Sequence, residues 1–122
     1  MNEPTNPKRL DETQLRLKVY SEPTSKKLRP YIVEYLRRRA AEARAVSNED
    51  MLRGKGAGWG DPAGYICGAL AWQGADGVEG DDWITEEDEP ELFQALQLSG
   101  KLDIDTNNQT AWDELLAIID RL

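Results

Sequence analysis

The segment from Pro62 to Gly74 most constrains the fold, because its helical pattern is apolar on nearly every side. Pro62 suits the first helical position, where its missing N–H costs nothing, and Asp61 precedes it as an N-cap. The only ionisable group inside the segment is the thiol of Cys67. A helix without a polar face must be buried, so we expect residues 61–74 to form the central core helix.

Four further segments carry helix signals. Between Leu28 and Ala43, apolar residues recur at spacings of three and four, which predicts a helix that begins near Pro30. Capping boxes predict helices over 47–53 and 110–119. An acidic start predicts another helix over 88–100, which ends at Gly100 in a left-handed cap.

Three short segments alternate between apolar and polar residues. The alternation over residues 14–20 predicts a half-exposed strand, and residues 83–85 predict a second short strand. Residues 101–105 also alternate, but only briefly. The glycine-rich stretch 54–60 predicts a loop. The expected fold class is therefore α+β but predominantly α, with about five helices and one or two short strands.

A length of 122 residues suits one compact domain. Residues 1–12 contain two prolines and many polar residues without periodicity, which predicts a mobile N-terminal arm. Residues 13–122 are expected to form a single globular α-rich domain. No apolar run approaches the ~20 residues that span a bilayer, and the first residues do not resemble a signal peptide. A soluble, cytoplasmic protein is expected.

Charge is divided unevenly along the chain. The first 56 residues hold 13 Lys and Arg against 8 Asp and Glu, whereas the remaining residues hold 2 against 15. The formal net charge of the whole chain is -8. A surface of one sign steers an oppositely charged partner and raises its on-rate, so this asymmetry indicates charged partners.

Catalysis has little support in the sequence. The chain has no histidine and one cysteine, which excludes an internal disulfide and removes the commonest acid-base group and metal ligand. Cys67 lies in an apolar helix without a histidine to activate it, so we expect an inert core thiol. The expected protein is not an enzyme and needs no cofactor.

The acidic half contains all four tryptophans. Trp72 and Trp112 lie on apolar helix faces and are expected in the core, whereas Trp59 and Trp83 fall in loops among carboxylates. Aromatic anchors in a charged surround favour a protein interface. We therefore expect a small acidic inhibitor or adaptor, of the phage anti-defence or immunity-protein type, that engages a basic partner such as a nucleic-acid-handling protein. The expected partner-binding residues are Trp59, Asp76, Glu79, Asp81, Asp82, Trp83, Glu86, Glu87, Asp88, Glu89 and Glu91.

Two alternatives use the basic half of the chain. A nucleic-acid-binding regulator would meet phosphates with seven cationic side chains, although Glu34 and Glu42 are placed to pair with nearby arginines. A self-assembling protein would join the positive half of one copy to the negative half of another. The seven cationic side chains proposed for nucleic-acid binding are Lys26, Lys27, Arg29, Arg37, Arg38, Arg39 and Arg44.

One segment resembles a calcium-binding EF-hand loop. Four oxygen-bearing residues fall on positions one, three, five and twelve of that loop, and Asn108 stands where the loop usually has glycine. The same residues also fit a strand, a turn and a capped helix, each formed for local reasons. The candidate calcium ligands are Asp103, Asp105, Asn107 and Glu114.

Overall fold

The computed structural model describes residues 6–20, 24–45, 62–74, 83–105 and 108–122. The protein is predominantly helical, as predicted, and no strand is found within these ranges. Two short 3-10 turns, Pro7–Arg9 and Lys26–Leu28, precede the first two helices. The α-helices within the described ranges are α1 (Glu12–Val19), α2 (Arg29–Arg44), α3 (Pro62–Gly74), α4 (Pro90–Ile104) and α5 (Gln109–Arg121).

Four of the helices form a ring around one hydrophobic core. Helix α3 packs between α2 and α4, α4 packs on α5, and α5 returns to α2, while α1 lies against α2. Ile66, Ala69 and Leu70 of α3 are fully buried, as expected of a helix without a polar face. Across the described ranges, none of the helices has both the length and the apolar character needed to cross a bilayer.

The prediction of a strand over 14–20 is wrong, because residues 14–19 belong to α1 and Tyr20 is its C-cap. Leu15 and Val19, four apart, share the buried face of the helix, whereas Leu17 is 69% exposed. A capping box starts the helix: the Asp11 carboxylate accepts from the Gln14 amide at 2.8 Å, and the Gln14 side chain accepts from the Asp11 amide. This local signal was present in the sequence beside the alternation.

The predicted strand over 83–85 is also wrong, because these residues are irregular. Helix α4 begins at Pro90, passes through Gly100 and ends at Ile104, so the predicted left-handed cap and the alternation over 101–105 are both replaced by helix. The apolar face continues past the glycine, since Leu102 is buried against the core. That burial outweighs the low helix propensity of a single exposed glycine.

Helix α5 starts earlier than its predicted capping box. The Asn108 side chain accepts from the Ala111 amide at 3.0 Å, so Asn108 is the N-cap and Thr110 lies inside the helix. Asp61, the predicted helix over 47–53 and the predicted glycine loop over 54–60 lie outside the described residues.

The described part of the predicted N-terminal arm contacts α2. The Arg38 guanidinium donates to the carbonyl oxygens of Pro7 and Lys8, both at 3.3 Å, and to the Glu12 carboxylate at 3.2 Å. Helix α1 begins at Glu12, the last residue assigned to the arm. The division into a mobile arm over 1–12 and a domain over 13–122 stays a prediction.

Replacing Gly100 with alanine should stabilise the protein. A Cβ at this helical position meets no atom within 4 Å. The substitution should raise the free energy of unfolding by about 0.5–1 kcal/mol, because alanine loses less backbone entropy in a helix. The measurement is urea unfolding followed by circular dichroism.

Gly74→Ala is the control for this prediction, because a Cβ there would lie 2.8 Å from Leu96 Cδ2 and 3.3 Å from Ile84 Cδ1. It should destabilise the protein. A destabilising Gly100→Ala would indicate that the helix ends at Gly100 after all.

Candidate functional site

Five of the predicted partner-binding residues, Trp59, Asp76, Glu79, Asp81 and Asp82, lie outside the described residues. The structure separates the other six into an exposed group and a group held by intramolecular contacts.

Glu86, Glu87 and Asp88 form one exposed turn before α4, which we call the acidic turn. Glu91 is half-buried, and its carboxylate lies 3.5 Å from Arg121 Nε. The remaining two residues, Trp83 and Glu89, flank the acidic turn and are both buried.

Trp83 fixes the chain before the acidic turn. Trp83 was expected to lie in a loop, outside the core, and this is wrong in its second part: Trp83 belongs to the hydrophobic core, with Ile84 next to it. Its Nε1 donates to Gln73 Oε1 at 3.2 Å, and Gln73 Nε2 donates to the Val19 carbonyl. The buried amide of Gln73 thereby ties the chain before the turn to α3 and to the end of α1.

Gln73 was missed by the sequence analysis. A glutamine at the end of an apolar helix gives no local sign of a buried hydrogen-bonding role, because its two partners are distant in sequence.

Glu89 fixes the chain after the acidic turn. Its carboxylate accepts from Arg29 Nε at 2.9 Å and lies 3.6 Å from Lys26 Nζ. Its amide donates to the Thr85 carbonyl at 2.8 Å, and the Asp88 amide donates to Thr85 Oγ1 at 3.0 Å. The turn is therefore closed by its own backbone and held to α2 by an ion pair.

The cationic side chains proposed for nucleic-acid binding are largely neutralised within the protein. Arg38 lies 2.9 Å from Glu34 and 3.2 Å from Glu12, and Arg44 lies 2.7 Å from Asp120. Arg37 donates to the Leu122 carbonyl. Arg29 and Lys26 contact Glu89, Arg39 is paired as described next, and Lys27 is exposed.

Arg39 is the most enclosed of these cations. Its guanidinium pairs with Glu12 and with Glu42 at 3.0 Å, and its Cζ lies over the rings of Tyr35 and Tyr65, 5.1 and 5.9 Å from their centroids. Its Nε has no hydrogen-bond partner. The aromatic faces compensate part of that loss by attracting the cation. A guanidinium held in this way cannot reach a phosphate backbone.

An aromatic cluster joins α1, α2 and α3. The ring of Tyr20 meets Tyr35 and Trp72 edge-on, with centroids 6.4 and 5.6 Å away. Burial raises the pKa of Tyr20 to about 12, and Tyr35 adds to that effect through its charge and a hydrogen bond. The pKa of Tyr35 is also raised, mainly by burial. These hydroxyls stay protonated at neutral pH, and their edge-on ring contacts join the three helices.

Cys67 lies in the middle of α3, in the part predicted to be core, and is half-buried. Burial raises the pKa of its thiol to about 12, and the negative charge of Asp103 adds to the shift. A thiol that stays protonated at neutral pH is a poor nucleophile.

The segment that resembles an EF-hand loop forms other structure. Helix α4 includes Asp103, and α5 begins at Gln109, the seventh position of the supposed loop. Only residues 105–108 connect the two helices, which is too few to wrap oxygen ligands around a cation. Asn107 lies outside the described residues, and Asp103, Asp105 and Glu114 are exposed. Within the described ranges, no three carboxylate or cysteine side chains are grouped to hold a metal ion.

Comparison with protein-family models, with curated proteins and with solved structures found no match to this chain.

Millimolar calcium should leave the melting temperature unchanged, because α5 occupies the second half of the supposed loop. Differential scanning fluorimetry with calcium and with EDTA measures this. Magnesium at the same ionic strength is the control for general salt effects. A rise in melting temperature that is specific to calcium, and that Glu114→Ala abolishes, would show that this segment binds calcium.

Stability should fall between about pH 9 and pH 12. In the unfolded chain the Cys67 thiol and the Tyr20 hydroxyl ionise at their ordinary pKa values, 9.0 and 10.0, whereas in the folded protein both pKa values are about 12. The unfolded state therefore releases protons first, and the stabilisation is present in full below pH 9 and lost as the pH approaches 12.

Urea unfolding at a series of pH values measures this loss. Cys67→Ala should remove the part of the decline that begins near pH 9, and Tyr20→Phe should reduce the part that begins near pH 10. If both variants decline in parallel with the wild type, burial of these two groups is not the cause.

Proposed function

We propose that the protein is a non-catalytic binding protein that engages a basic surface of a partner protein through the acidic turn, Glu86–Asp88. The observation that carries the proposal is the internal pairing of the basic residues. Six of the seven cations considered for nucleic-acid binding contact a carboxylate or a carbonyl oxygen of the same chain. Five of these six contacts are ion pairs that cancel a positive charge, and the formal net charge of the chain is -8, so the charge left for a partner is mainly negative.

The acidic turn suits this role for a second reason. The buried Trp83 before it and the buried Glu89 after it fix both ends of the segment. A preorganised segment loses less conformational entropy on binding than a free loop does, which favours affinity. Its three exposed carboxylates supply long-range steering toward Lys and Arg.

The proposed biological role is that of a small acidic inhibitor or adaptor in the cytoplasm, such as a phage anti-defence protein or an immunity protein. Carboxylates that occupy the positions of phosphates would suit a partner that handles nucleic acid. The support for this part of the proposal is the acidic composition of the chain.

The first experiment is affinity capture from nuclease-treated native lysate, followed by binding kinetics with the purified captured protein. Glu86→Lys/Glu87→Lys should slow association about tenfold or more at low ionic strength, because the steering charge is reversed at the contact. The effect should shrink as added salt screens the charges.

Asp103→Lys/Glu114→Lys is the matched control. It changes the net charge by the same amount at two exposed positions outside the acidic turn. It should slow association by less than about threefold if steering is local to the turn. Equal slowing by both variants would show that only the net charge matters, and capture that nuclease abolishes would transfer the function to nucleic-acid binding.

A further inference from the structure

The side chain of Glu89 links the start of α4 to the start of α2. Glu89 is the residue before Pro90, at the N-terminus of α4, and its carboxylate bonds to Arg29, the first residue of α2. The first turn of α2 contains no acidic residue of its own, and Lys26 and Lys27 come just before it. At the start of α2 the carboxylate of Glu89 therefore contacts two cations, Arg29 and Lys26.

The Glu89 side chain does not cap its own helix. As the N-cap residue of α4 it makes no side-chain hydrogen bond to the first-turn amides. The carboxylate instead reaches Arg29, 60 residues away in the chain, and its side chain is only 9% exposed. Such a side chain cannot present its charge to a partner, although the sequence places it in the middle of the acidic run.

The backbone of Glu89 completes the acidic turn. Its amide donates to the Thr85 carbonyl, and the neighbouring Asp88 amide donates to Thr85 Oγ1. Fixing the side chain of Glu89 on α2 thus fixes the residue that closes the turn.

We propose that Glu89 is a positioning residue of the binding site: its ion pair with Arg29 holds the acidic turn in the conformation that the partner recognises. This inference rests on the proposed function. It assigns Glu89 a role different from that of Glu86, Glu87 and Asp88, which contact the partner. Loss of the ion pair should loosen the turn while leaving the three contact carboxylates in place.

The experiment measures amide hydrogen exchange in the free protein by NMR. In Glu89→Gln, the Asp88 and Glu89 amides should exchange about tenfold faster or more, whereas the amides of Leu115 and Ile119 in α5 should change little. Arg29→Gln should have the same effect from the other side of the pair. Arg29→Lys should retain protection, because the ammonium can still pair with the carboxylate.

Glu91→Gln is the matched control. It makes the same chemical change two residues away, at a half-buried carboxylate that faces Arg121. It should leave exchange at Asp88 and Glu89 unchanged. The proposal is overturned if Glu89→Gln accelerates these two amides no more than it accelerates those of α5, or if Glu91→Gln has an equal effect.

Dissociation kinetics with the captured partner complete the test. Glu89→Gln should increase the dissociation rate about tenfold and leave the salt dependence of association in place, since the exposed carboxylates remain. An unchanged dissociation rate, in a variant whose turn exchanges faster, would overturn the positioning role. Failure of the wild type to capture a protein partner would instead refute the proposed function, while the exchange result would still report on Glu89.

Discussion

The structure depends on the burial of α3, a helix that has no polar face. Ile66, Ala69 and Leu70 have no exposed surface, and this is possible only because α2 and α4 cover the helix on two sides. Helix α5 then closes the ring, and Trp112 and Leu115 fill its interior. Because hydrophobic burial is the main favourable contribution to folding, the other helices are placed by the need to cover α3.

Ring closure also determines where the charges meet. Helix α2 carries most of the arginines, and it contacts α1, α3 and α5. Glu12 on α1 and Asp120 on α5 are thereby brought to Arg38, Arg39 and Arg44. Exposed ion pairs such as Arg44 with Asp120 contribute little to stability, so their main consequence is electrostatic. They cancel positive charge that the sequence assigned to a separate basic half.

The helices with long apolar patterns could be predicted from the sequence: α2 follows from its periodicity, and α3 follows from an apolar segment that begins at Pro62 and ends at Gly74. The strand predicted over 14–20 shows where such patterns fail. Leu15, Leu17 and Val19 fit an alternating strand, and Leu15 and Val19 also fit one face of a helix. The Asp11 capping box and packing against α2 favour the helix.

Gly100 shows that a local sequence pattern can also fail to predict where a helix ends. A glycine that follows an apolar pattern is typical of a helix end, but here Leu102 lies beyond it and is buried. The gain from burying that leucine depends on α3 and α5, which a local pattern does not contain. The end of α4 is therefore decided by tertiary contacts and not by the glycine.

The candidate site could be predicted only in part for the same reason. Charge composition identified the run that contains Glu86, Glu87 and Asp88, and they are exposed as a solvated acidic turn should be. Composition could not separate them from Glu89, since an exposed carboxylate and a buried one look alike in sequence. The distinction is set by Arg29, 60 residues away.

Burial of a carboxylate has a cost that the position of Glu89 must offset. Removing an ionised group from water is unfavourable unless paired charges and hydrogen bonds replace the lost hydration. Arg29 and Lys26 provide that replacement, whereas an aliphatic side chain could fill the same volume without needing it. A partly buried ion pair of this kind therefore adds directional constraint more than stability, and beside an exposed turn that constraint acts on the orientation of the carboxylates at the surface.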